Sequence, residues 1–317
     1  MSAKRWAPLL SAVVVVLLLA AAPGIVSAFM VQFLINLFMM AILAESWNII
    51  GGFTGYASFG NVAFFGIGAY TTGVLLTRVE LPFALALPAA GLVAMLFGAI
   101  VGLPILRLKG HYFAIATLGV AETMREVVYN LEFTGKGTGL VMPIVRNPLI
   151  FFYSMLGILG AVTLVNWWLS ASRFGYGLVA IREDEDAAAV MGINTPLYKT
   201  IAFALSGFFT GLAGGVYAYW ITFIDPEAVF KVIITVQLLI MAVFGGTGTV
   251  LGPLLGALVL SAVSEVLATQ LVTLAELFNG FIIILVVLFM PKGLMDLIRQ
   301  RGFSLRYFAK NLREYRI

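Results

Sequence analysis

A run of five charged residues is the feature of this sequence best suited to chemistry or to contact with another protein. Arg182, Glu183, Asp184, Glu185 and Asp186 stand in a row in a chain of which 62% is hydrophobic. Charges in hydrocarbon cost several kcal/mol each, so the run predicts a water-exposed excursion between membrane segments. Its acids would fill the first turn of a short helix, where they face the positive end of the helix dipole.

The residues after this run would complete and end that helix. Ala187, Val190 and Met191 fall on one face at i, i+3 and i+4 spacing, and Gly192 suits the C′ position that ends a helix. Thr195 would be the N-cap of the next helix, followed by a proline in its first turn. A capped helix with a small apolar face, held at the membrane surface, has the shape of a docking element for a soluble partner.

Two groups of polar residues lie inside apolar segments. Glu45 and Asn48 precede a glycine cluster, where they would line an aqueous path or bond to unwound backbone; the alternative is that they are solvated near the membrane surface. Glu122, Arg125 and Glu126 are spaced for local ion pairs on one helix. They would serve the path, or else form an ion pair at the outer end of a short segment.

The sequence lacks the features of enzymes and of metal proteins. With no cysteine and the single histidine His111, disulfides, thiol catalysis and metal sites built from Cys or His are excluded, and no cofactor is predicted. The motifs G-x-x-x-x-G-K-[ST], H-E-x-x-H and G-x-S-x-G do not occur. If this protein moves a solute at the expense of ATP, another chain must bind the nucleotide.

Composition predicts an all-α, polytopic transmembrane helical bundle. Only 11% of the residues are charged, and apolar runs of about 20 residues, the length that crosses a bilayer, follow one another along the chain. Ten segments are predicted, near residues 9–28, 30–50, 57–77, 82–106, 111–129, 148–169, 198–223, 232–249, 252–272 and 276–290. The first could pass for a signal peptide, but we interpret it as an uncleaved first span.

Basic residues set the expected orientation. The net charge is +4, and seven of the 19 Lys and Arg residues lie between Lys292 and Ile317. A basic tail beside the last span indicates contact with anionic lipid rather than with nucleic acid. We therefore expect one transmembrane domain over residues 1–290, with a cytoplasmic loop over 170–197, and a basic cytoplasmic tail over 291–317. Both termini would lie in the cytoplasm.

Two glycine clusters suggest that the bundle has two weakly similar halves. The clusters consist of Gly51, Gly52, Gly55 and Gly60 in the first half and Gly245, Gly246, Gly248 and Gly252 in the second. Each cluster follows one apolar span and precedes another. Paired glycine-rich interruptions in corresponding places of two halves point to broken helices at a transport site.

The charged loop resembles the cytoplasmic loop of ABC importer permeases. Asp186-Ala187-Ala188 followed by Gly192 is similar to the pattern E-A-A-x-x-x-G, with Asp in place of Glu. The longer stretch from Arg173 to Ile193 is similar to the larger permease subunit of high-affinity branched-chain amino-acid importers. Blocks at 48–70, 106–118 and 245–253 resemble that family's other signatures and occur in its order. The resemblance covers about residues 30–295.

This resemblance implies an inner-membrane permease subunit of an ABC importer for branched-chain amino acids. Its expected partners are a second, homologous permease, two ATPase subunits, an extracytoplasmic solute-binding protein and the lipid bilayer. The loop that contacts the ATPases would comprise Arg182, Glu183, Asp184, Glu185, Asp186, Ala187, Ala188 and Gly192. The translocation path would include Glu45, Asn48, Gly51, Gly52, Ser58, Gly60, Asn61, Glu122, Gly245, Gly246 and Gly248.

Two departures from the family pattern leave the substrate open. Lys136 stands where the family has a second glycine, and Asn61 replaces a common His or Gln. Relatives that share these blocks handle urea or short amides, so a urea or amide importer is an alternative. A single-chain, ion-coupled transporter with Glu122 as the ion carrier is another. An intramembrane enzyme that uses Glu45 or Glu122 as acid or base is the third alternative.

Overall fold

The computed structural model of the chain describes residues 19–145, 147–270 and 294–295, and these are mainly helical. In chain order the α-helices are α1 (Ala28–Trp47), α2 (Asn61–Thr77), α3 (Phe83–Ile105), α4 (His111–Asn130), α5 (Leu149–Ala171), α6 (Arg173–Glu183), α7 (Glu185–Val190), α8 (Thr195–Ile221), α9 (Pro226–Val229), α10 (Val232–Gly245) and α11 (Gly252–Gln270). Short 3-10 turns lie at Ala22–Gly24 and Lys136–Thr138, and a π-turn lies at Asn48–Gly52. Strands β1 (Leu140–Val141) and β2 (Phe223–Ile224) pair antiparallel, with Leu140 opposite Ile224.

Among the described residues, five helical segments are long and apolar enough to cross a membrane. They are Ala28–Gly52, Phe83–Ile105, Leu149–Ala171, Thr195–Ile221 and Pro226–Gly245. The prediction of a helical membrane protein is thereby confirmed, but the count of ten spans is not. Helices α2 and α11 are apolar but shorter, and α2 begins at residue 61 rather than near 57. Half of the predicted segment 9–28, the segment 276–290 and nearly all of the basic tail lie outside the described residues.

Helix α8 lies at the centre of the bundle and packs most extensively against α2 and α3. Small residues allow this, because they let the backbones of neighbouring helices approach closely. A methyl group added at Gly68 of α2, or at Gly214 of α8, would overlap a main-chain carbonyl of the facing helix. The spacing of the three central helices therefore depends on glycine.

The charged loop and the 130–147 connection lie at opposite ends of α8. This helix has 27 residues, a length of ~40 Å, and it begins directly after the loop. At its far end β2 pairs with β1 of the 130–147 connection. At the loop end, Lys109 Nζ lies 2.8 Å from Asp186 Oδ1, which places the turn between α3 and α4 beside the loop. The basic turn with Arg107 and Lys109 thus lies at the same end of α8 as the charged loop, whereas the sparsely basic 130–147 connection lies at the other end, a separation that the positive-inside rule would favour.

Helix α1 ends in an irregular segment rather than in a simple cap. Its last residue, Trp47, is followed by the π-turn Asn48–Gly52, a type of distortion that is frequent at functional sites. The indole Nε1 of Trp47 donates a hydrogen bond to the Ser58 carbonyl at 2.8 Å. This bond holds the non-helical segment 53–60 against the end of α1, beside the charged loop.

Candidate functional site

The charged run belongs to two helices rather than one. Helix α6 ends at Glu183, and Asp184 separates it from α7. The Asp184 carboxylate accepts hydrogen bonds from the amides of Asp186 and Ala187, both at 2.9 Å, and so caps α7. The prediction that all four acids fill one first turn was wrong, because this cap leaves only Glu185 and Asp186 in that turn.

The other end of α7 has the predicted geometry. Gly192 has a φ of +88° directly after the C-cap, a left-handed conformation that strains residues with a side chain. Val190 and Met191 are 87% and 83% exposed, and Ala187 is exposed beside them. These three residues are called the apolar tip below. The tip projects from the protein at the loop end of the bundle.

The next helix begins one residue earlier than the sequence suggests. The Asn194 side chain accepts a hydrogen bond from the Leu197 amide at 3.2 Å and is the N-cap of α8. Thr195 is the first residue of the helix, and its hydroxyl donates to Glu185 Oε1 at 3.3 Å. The prediction of Thr195 as the cap was wrong because a nearby carboxylate takes the threonine hydroxyl.

A buried lysine attaches α7 to the membrane helices. Lys199, in the second turn of α8, has a side chain that is 3% exposed. Its Nζ donates to Glu185 Oε1 at 2.6 Å, to the Leu106 carbonyl at 2.7 Å and to the Tyr56 hydroxyl at 3.0 Å. The Tyr56 hydroxyl in turn donates to the second oxygen of Glu185. These four residues, which we call the Lys199 cluster, join α7, α8, the end of α3 and the segment after the π-turn.

The electrostatics of the cluster favour the ionised pair. Burial raises the pKa of Glu185, but the hydrogen bonds from Lys199 and Tyr56 outweigh burial and bring that pKa below its ordinary value. Burial, followed by the neighbouring Glu185, raises the pKa of Tyr56. The tyrosine thus remains a hydrogen-bond donor to the carboxylate at neutral pH. Loss of one partner would leave a buried charge uncompensated, which costs about 3–5 kcal/mol.

Arg182 extends from the loop into the predicted glycine clusters. Its Nη1 donates to the Gly52 carbonyl at 3.1 Å. A methyl group at Gly55 would lie 2.7 Å from the Arg182 side chain, and one at Gly248 would also lie 2.7 Å from it. Both glycines have positive φ angles, of +75° and +73°. The loop and the two broken helices therefore touch directly.

The two glycine clusters meet each other at Asn48. This buried side chain accepts a hydrogen bond from the Gly248 amide at 2.8 Å and donates to the Thr249 carbonyl at 3.0 Å. A methyl group at Gly52 would overlap Asn48 and come within 2.5 Å of the Gly248 nitrogen. Asn48, Gly52, Gly248 and Thr249 are called the glycine junction below. It holds the non-helical segment between α1 and α2 in contact with the non-helical segment between α10 and α11.

The other predicted path residues of the two breaks each pack against a neighbouring element, and Glu122 lies elsewhere. Gly51 packs on Trp47, Gly60 on Thr117 of α4, Gly245 on Gly252, Gly246 on Met295, and Asn61 donates to Ser206 of α8 at 3.1 Å. Glu45 lies one turn before Asn48. It is fully buried, and neither carboxylate oxygen has a hydrogen-bond partner among the described residues, although the backbone of Leu254 is near. Glu122 lies apart, on α4.

Sequence reasoning missed three residues of this site. Lys199 is a lone cation near the start of a predicted span, and the rule that ionisable residues in membrane segments mark functional sites could have identified it. Tyr56 carries no comparable signal. Asn166 of α5, which accepts from Asn48 at 3.2 Å and donates to the Glu45 carbonyl at 3.1 Å, is a polar residue inside an apolar span and was open to the same reasoning.

Two broken membrane helices are bonded to a water-exposed helix in this structure. Such an arrangement suits a protein that changes shape around a solute path, and it is typical of a membrane transport permease. The sequence profile of the family described as "Branched-chain amino acid transport system / permease component" matches residues 29–290. The chain belongs to that family.

Individual relatives agree with this family. The chain is 30% identical to the high-affinity branched-chain amino acid transport system permease protein LivM of Salmonella typhimurium, and 29% identical to LivM of Escherichia coli. Each alignment covers 81% of this chain and 68% of the relative. The autoinducer 2 import system permease protein LsrC of Yersinia pseudotuberculosis is 28% identical over 70% of this chain and 65% of its own length. No solved structure matches the chain significantly.

The glycine junction should not tolerate a side chain at Gly52. We expect Gly52→Ala to lower the unfolding temperature in detergent by an amount equivalent to about 1–3 kcal/mol, because the methyl group forces the two breaks apart. Gly157→Ala is the matched control, since no heavy atom lies within 4 Å of a methyl group there. Equal unfolding temperatures for the two variants would show that the breaks are not in close contact.

The Lys199 cluster should make attachment of α7 depend on the ionisation of Glu185. The folded-state pKa is lowered, so the stabilisation is complete above the ordinary value of 4.5 and is lost as the pH falls through the folded pKa. A spin label on Met191→Cys should be immobile from neutral pH down to about pH 4.5 and should become mobile as the pH falls further, through the lowered pKa of Glu185. Glu185→Gln should mobilise the label at neutral pH.

Glu183→Gln is the control for this experiment, because the Glu183 side chain is 71% exposed and bonds only to its neighbour Arg182 among the described residues. That variant should leave the label immobile at neutral pH. A Glu185→Gln protein that behaves like the control would exclude the cluster as the attachment of α7.

Proposed function

We propose that this chain is a permease subunit of an ABC importer for branched-chain amino acids in the bacterial inner membrane. It would pair with a second, homologous permease, two ATPase subunits and an extracytoplasmic solute-binding protein. The observation that carries the proposal is the exposed apolar tip on α7, attached by a buried ion pair to α8 and by Arg182 to both broken helices. Family membership supports the transport class.

The apolar tip is the surface offered to an ATPase subunit. Val190 and Met191 are large and exposed, at the end of a helix whose first turn carries Glu185 and Asp186, and a small exposed apolar patch of this kind suits a protein contact. The opposite side of α7 carries Ala188, which is 4% exposed and packs inward. The helix therefore has one face for the partner and one for the bundle.

The Lys199 cluster and Arg182 would carry the motion. When ATP draws the two ATPase subunits together, α7 moves with the subunit it contacts. The Lys199–Glu185 pair then pulls on α8, and Arg182 pulls on the carbonyl of Gly52 and on the turn at Gly248. The two breaks separate or rotate, which opens the path toward the binding protein. A solute released there needs no tight site in the membrane.

The membrane arrangement is part of the proposal. We propose ten spans in one domain over residues 1–290, a basic cytoplasmic tail over 291–317, and both termini in the cytoplasm. The positions of the charged loop and of the 130–147 connection at opposite ends of α8 support an alternating arrangement of this kind. The path would lie between the two permeases and pass the glycine junction.

Branched-chain amino acids are the favoured substrate because the LivM relatives carry that description over most of this chain. LsrC, at 28% identity, is described as an autoinducer 2 permease, so the fold serves other solutes as well. The binding protein would select the solute. Urea or a short amide is the alternative substrate.

Reconstitution tests the proposal. Proteoliposomes that contain this chain, its partner permease and the two ATPases should take up leucine when the binding protein and ATP are present, and urea should not compete. Uptake of urea but not of leucine would identify the alternative substrate. Uptake by this chain alone, driven by an ion gradient, would contradict the ABC proposal and identify a secondary transporter.

The end of α7 should be needed for coupling. A methyl group at Gly192 meets no atom within 4 Å, so Gly192→Val acts only through the positive φ, at a cost of about 1–2 kcal/mol. We expect this variant to insert normally but to hydrolyse ATP with little uptake. Gly192→Asn, whose side chain tolerates that conformation, should keep most of the uptake. Uptake by Gly192→Val equal to that of the unmodified protein would remove α7 from the coupling mechanism.

A further inference from the structure

Helix α4 has an exposed stripe that does not suit lipid. The helix has 20 residues, or ~30 Å, the thickness of the hydrocarbon core. Only Phe113, Thr117, Ala121 and Val128 of this helix are buried. Among its exposed and half-exposed residues, six recur at intervals of three or four along the side opposite Phe113 and Thr117, a spacing that lines up on a helix surface. They are Tyr112, Ile115, Gly119, Glu122, Thr123 and Glu126, and we call them the open stripe.

The opposite side of α4 fixes which way this stripe points. Phe113, Thr117 and Ala121 are buried, and Thr117 Oγ1 accepts a hydrogen bond from the Phe59 amide at 3.0 Å. A methyl group at Gly60 would lie 2.6 Å from the Thr117 carbonyl, so the backbones are in close contact. The helix cannot rotate without breaking these contacts, and the open stripe faces away from the described part of this chain.

Other exposed helix faces of the described residues have a different character. The exposed large hydrophobic residues of α3 form an apolar surface suited to lipid, and they include Leu92, Leu96 and Ile100. On α5 the exposed Trp167 and Trp168 lie near the loop end, where aromatic rings suit the membrane interface. Among these three faces only the open stripe carries charges.

The position of the charges along α4 argues against contact with lipid. Helix α4 is not among the five described segments that are long and apolar enough to cross a membrane, so a crossing by this helix requires a polar environment along its exposed side. Glu122 follows the first residue of α4 by eleven positions, which places it ~17 Å along the helix and ~12 Å from its other end. A charged side chain at the centre of a lipid-facing helix costs about 2.5–3.5 kcal/mol. Ionisable residues at such depth face a protein partner or a water-filled cavity instead.

The charges are arranged to receive a group of either sign. Arg125 Nη2 lies 3.0 Å from Glu122 Oε2 and 3.2 Å from Glu126 Oε1, and the three side chains are 38%, 42% and 62% exposed. An arginine between two carboxylates can bind a carboxylate of the solute, while either glutamate can bind an ammonium group. Gly119, about one turn earlier, has no neighbour within 4 Å of an added methyl group, and Ile115 offers apolar surface.

We propose that the open stripe is this chain's wall of the translocation path, and that Glu122, Arg125 and Glu126 bind the charged backbone groups of a zwitterionic α-amino acid during passage. The open space at Gly119 accommodates the solute, and Ile115 contacts its apolar side chain. This inference rests on the proposed import function and adds the position and the chemistry of the path. Through Thr117 and Phe59 the same helix is bonded to the segment that follows the glycine junction.

Cysteine labelling in the assembled importer tests whether water reaches the stripe, and this chain adds no background because its sequence contains no cysteine. Gly119→Cys and Thr123→Cys should react with a charged, membrane-impermeant thiol reagent, and saturating leucine with binding protein and ATP should slow both reactions. Leu96→Cys and Ile100→Cys on α3 are the controls and should react only with a lipid-soluble maleimide. Reaction of the stripe positions with the lipid-soluble reagent alone, or with neither reagent, would overturn the proposal.

Kinetics test the charges. We expect Arg125→Gln to raise the KM for leucine uptake at least about tenfold while the unfolding temperature and the ATPase rate stay unchanged. A purely structural ion pair would instead lower the unfolding temperature and leave KM unaltered, which would refute the binding role. If the unmodified complex does not transport leucine, the proposed function fails, whereas the labelling pattern still reports whether α4 lines an aqueous path.

Discussion

The hydrogen bonds of one buried ammonium group determine how the surface helix is attached to the membrane bundle. Lys199 Nζ is nearly excluded from solvent, and a charge in that position is tolerable only if acceptors surround it. The acceptors come from Glu185, Tyr56 and the carbonyl of Leu106, which belong to three separate parts of the chain. None of these parts can move away without leaving the ammonium unsatisfied. A displacement of α7 would therefore be transmitted to α8 rather than absorbed in the loop.

A second set of contacts continues from the same loop into the membrane. Arg182 bonds to the carbonyl of Gly52, and Asn48 bonds to the amide of Gly248, so that the loop and both breaks form one bonded unit. Close packing makes such a unit stiff, because a glycine contact with no intervening side chain has little room to yield. A movement of α7 would consequently change the position of one break relative to the other.

Local features of this structure were predictable from the sequence, whereas contacts between distant residues were not. Gly192 could be placed because a C′ glycine is determined by its own helix. The sequence did not show that α6 ends before Asp184 and that α7 begins after it. Asp184 could equally be a residue within one helix or a helix cap, and in the structure its side chain caps α7. The similarity of the two glycine clusters indicated breaks in two helices. Nothing in the pattern showed that Asn48 would bond to Gly248, which lies 200 residues later in the sequence. Lys199 was overlooked although an ionisable residue in a span is itself a signal.

The breaks also provide a physical route by which the loop could act on the proposed path. In a regular membrane helix each carbonyl is bonded within the helix, so a side chain from a neighbouring loop finds no free acceptor. The π-turn after Trp47 and the turn at Gly248 release backbone groups from that pattern. Those groups must be satisfied inside the protein, and Arg182 and Asn48 satisfy them. The same irregularity that would be costly in lipid thus supplies the acceptor through which a water-exposed helix reaches the membrane core.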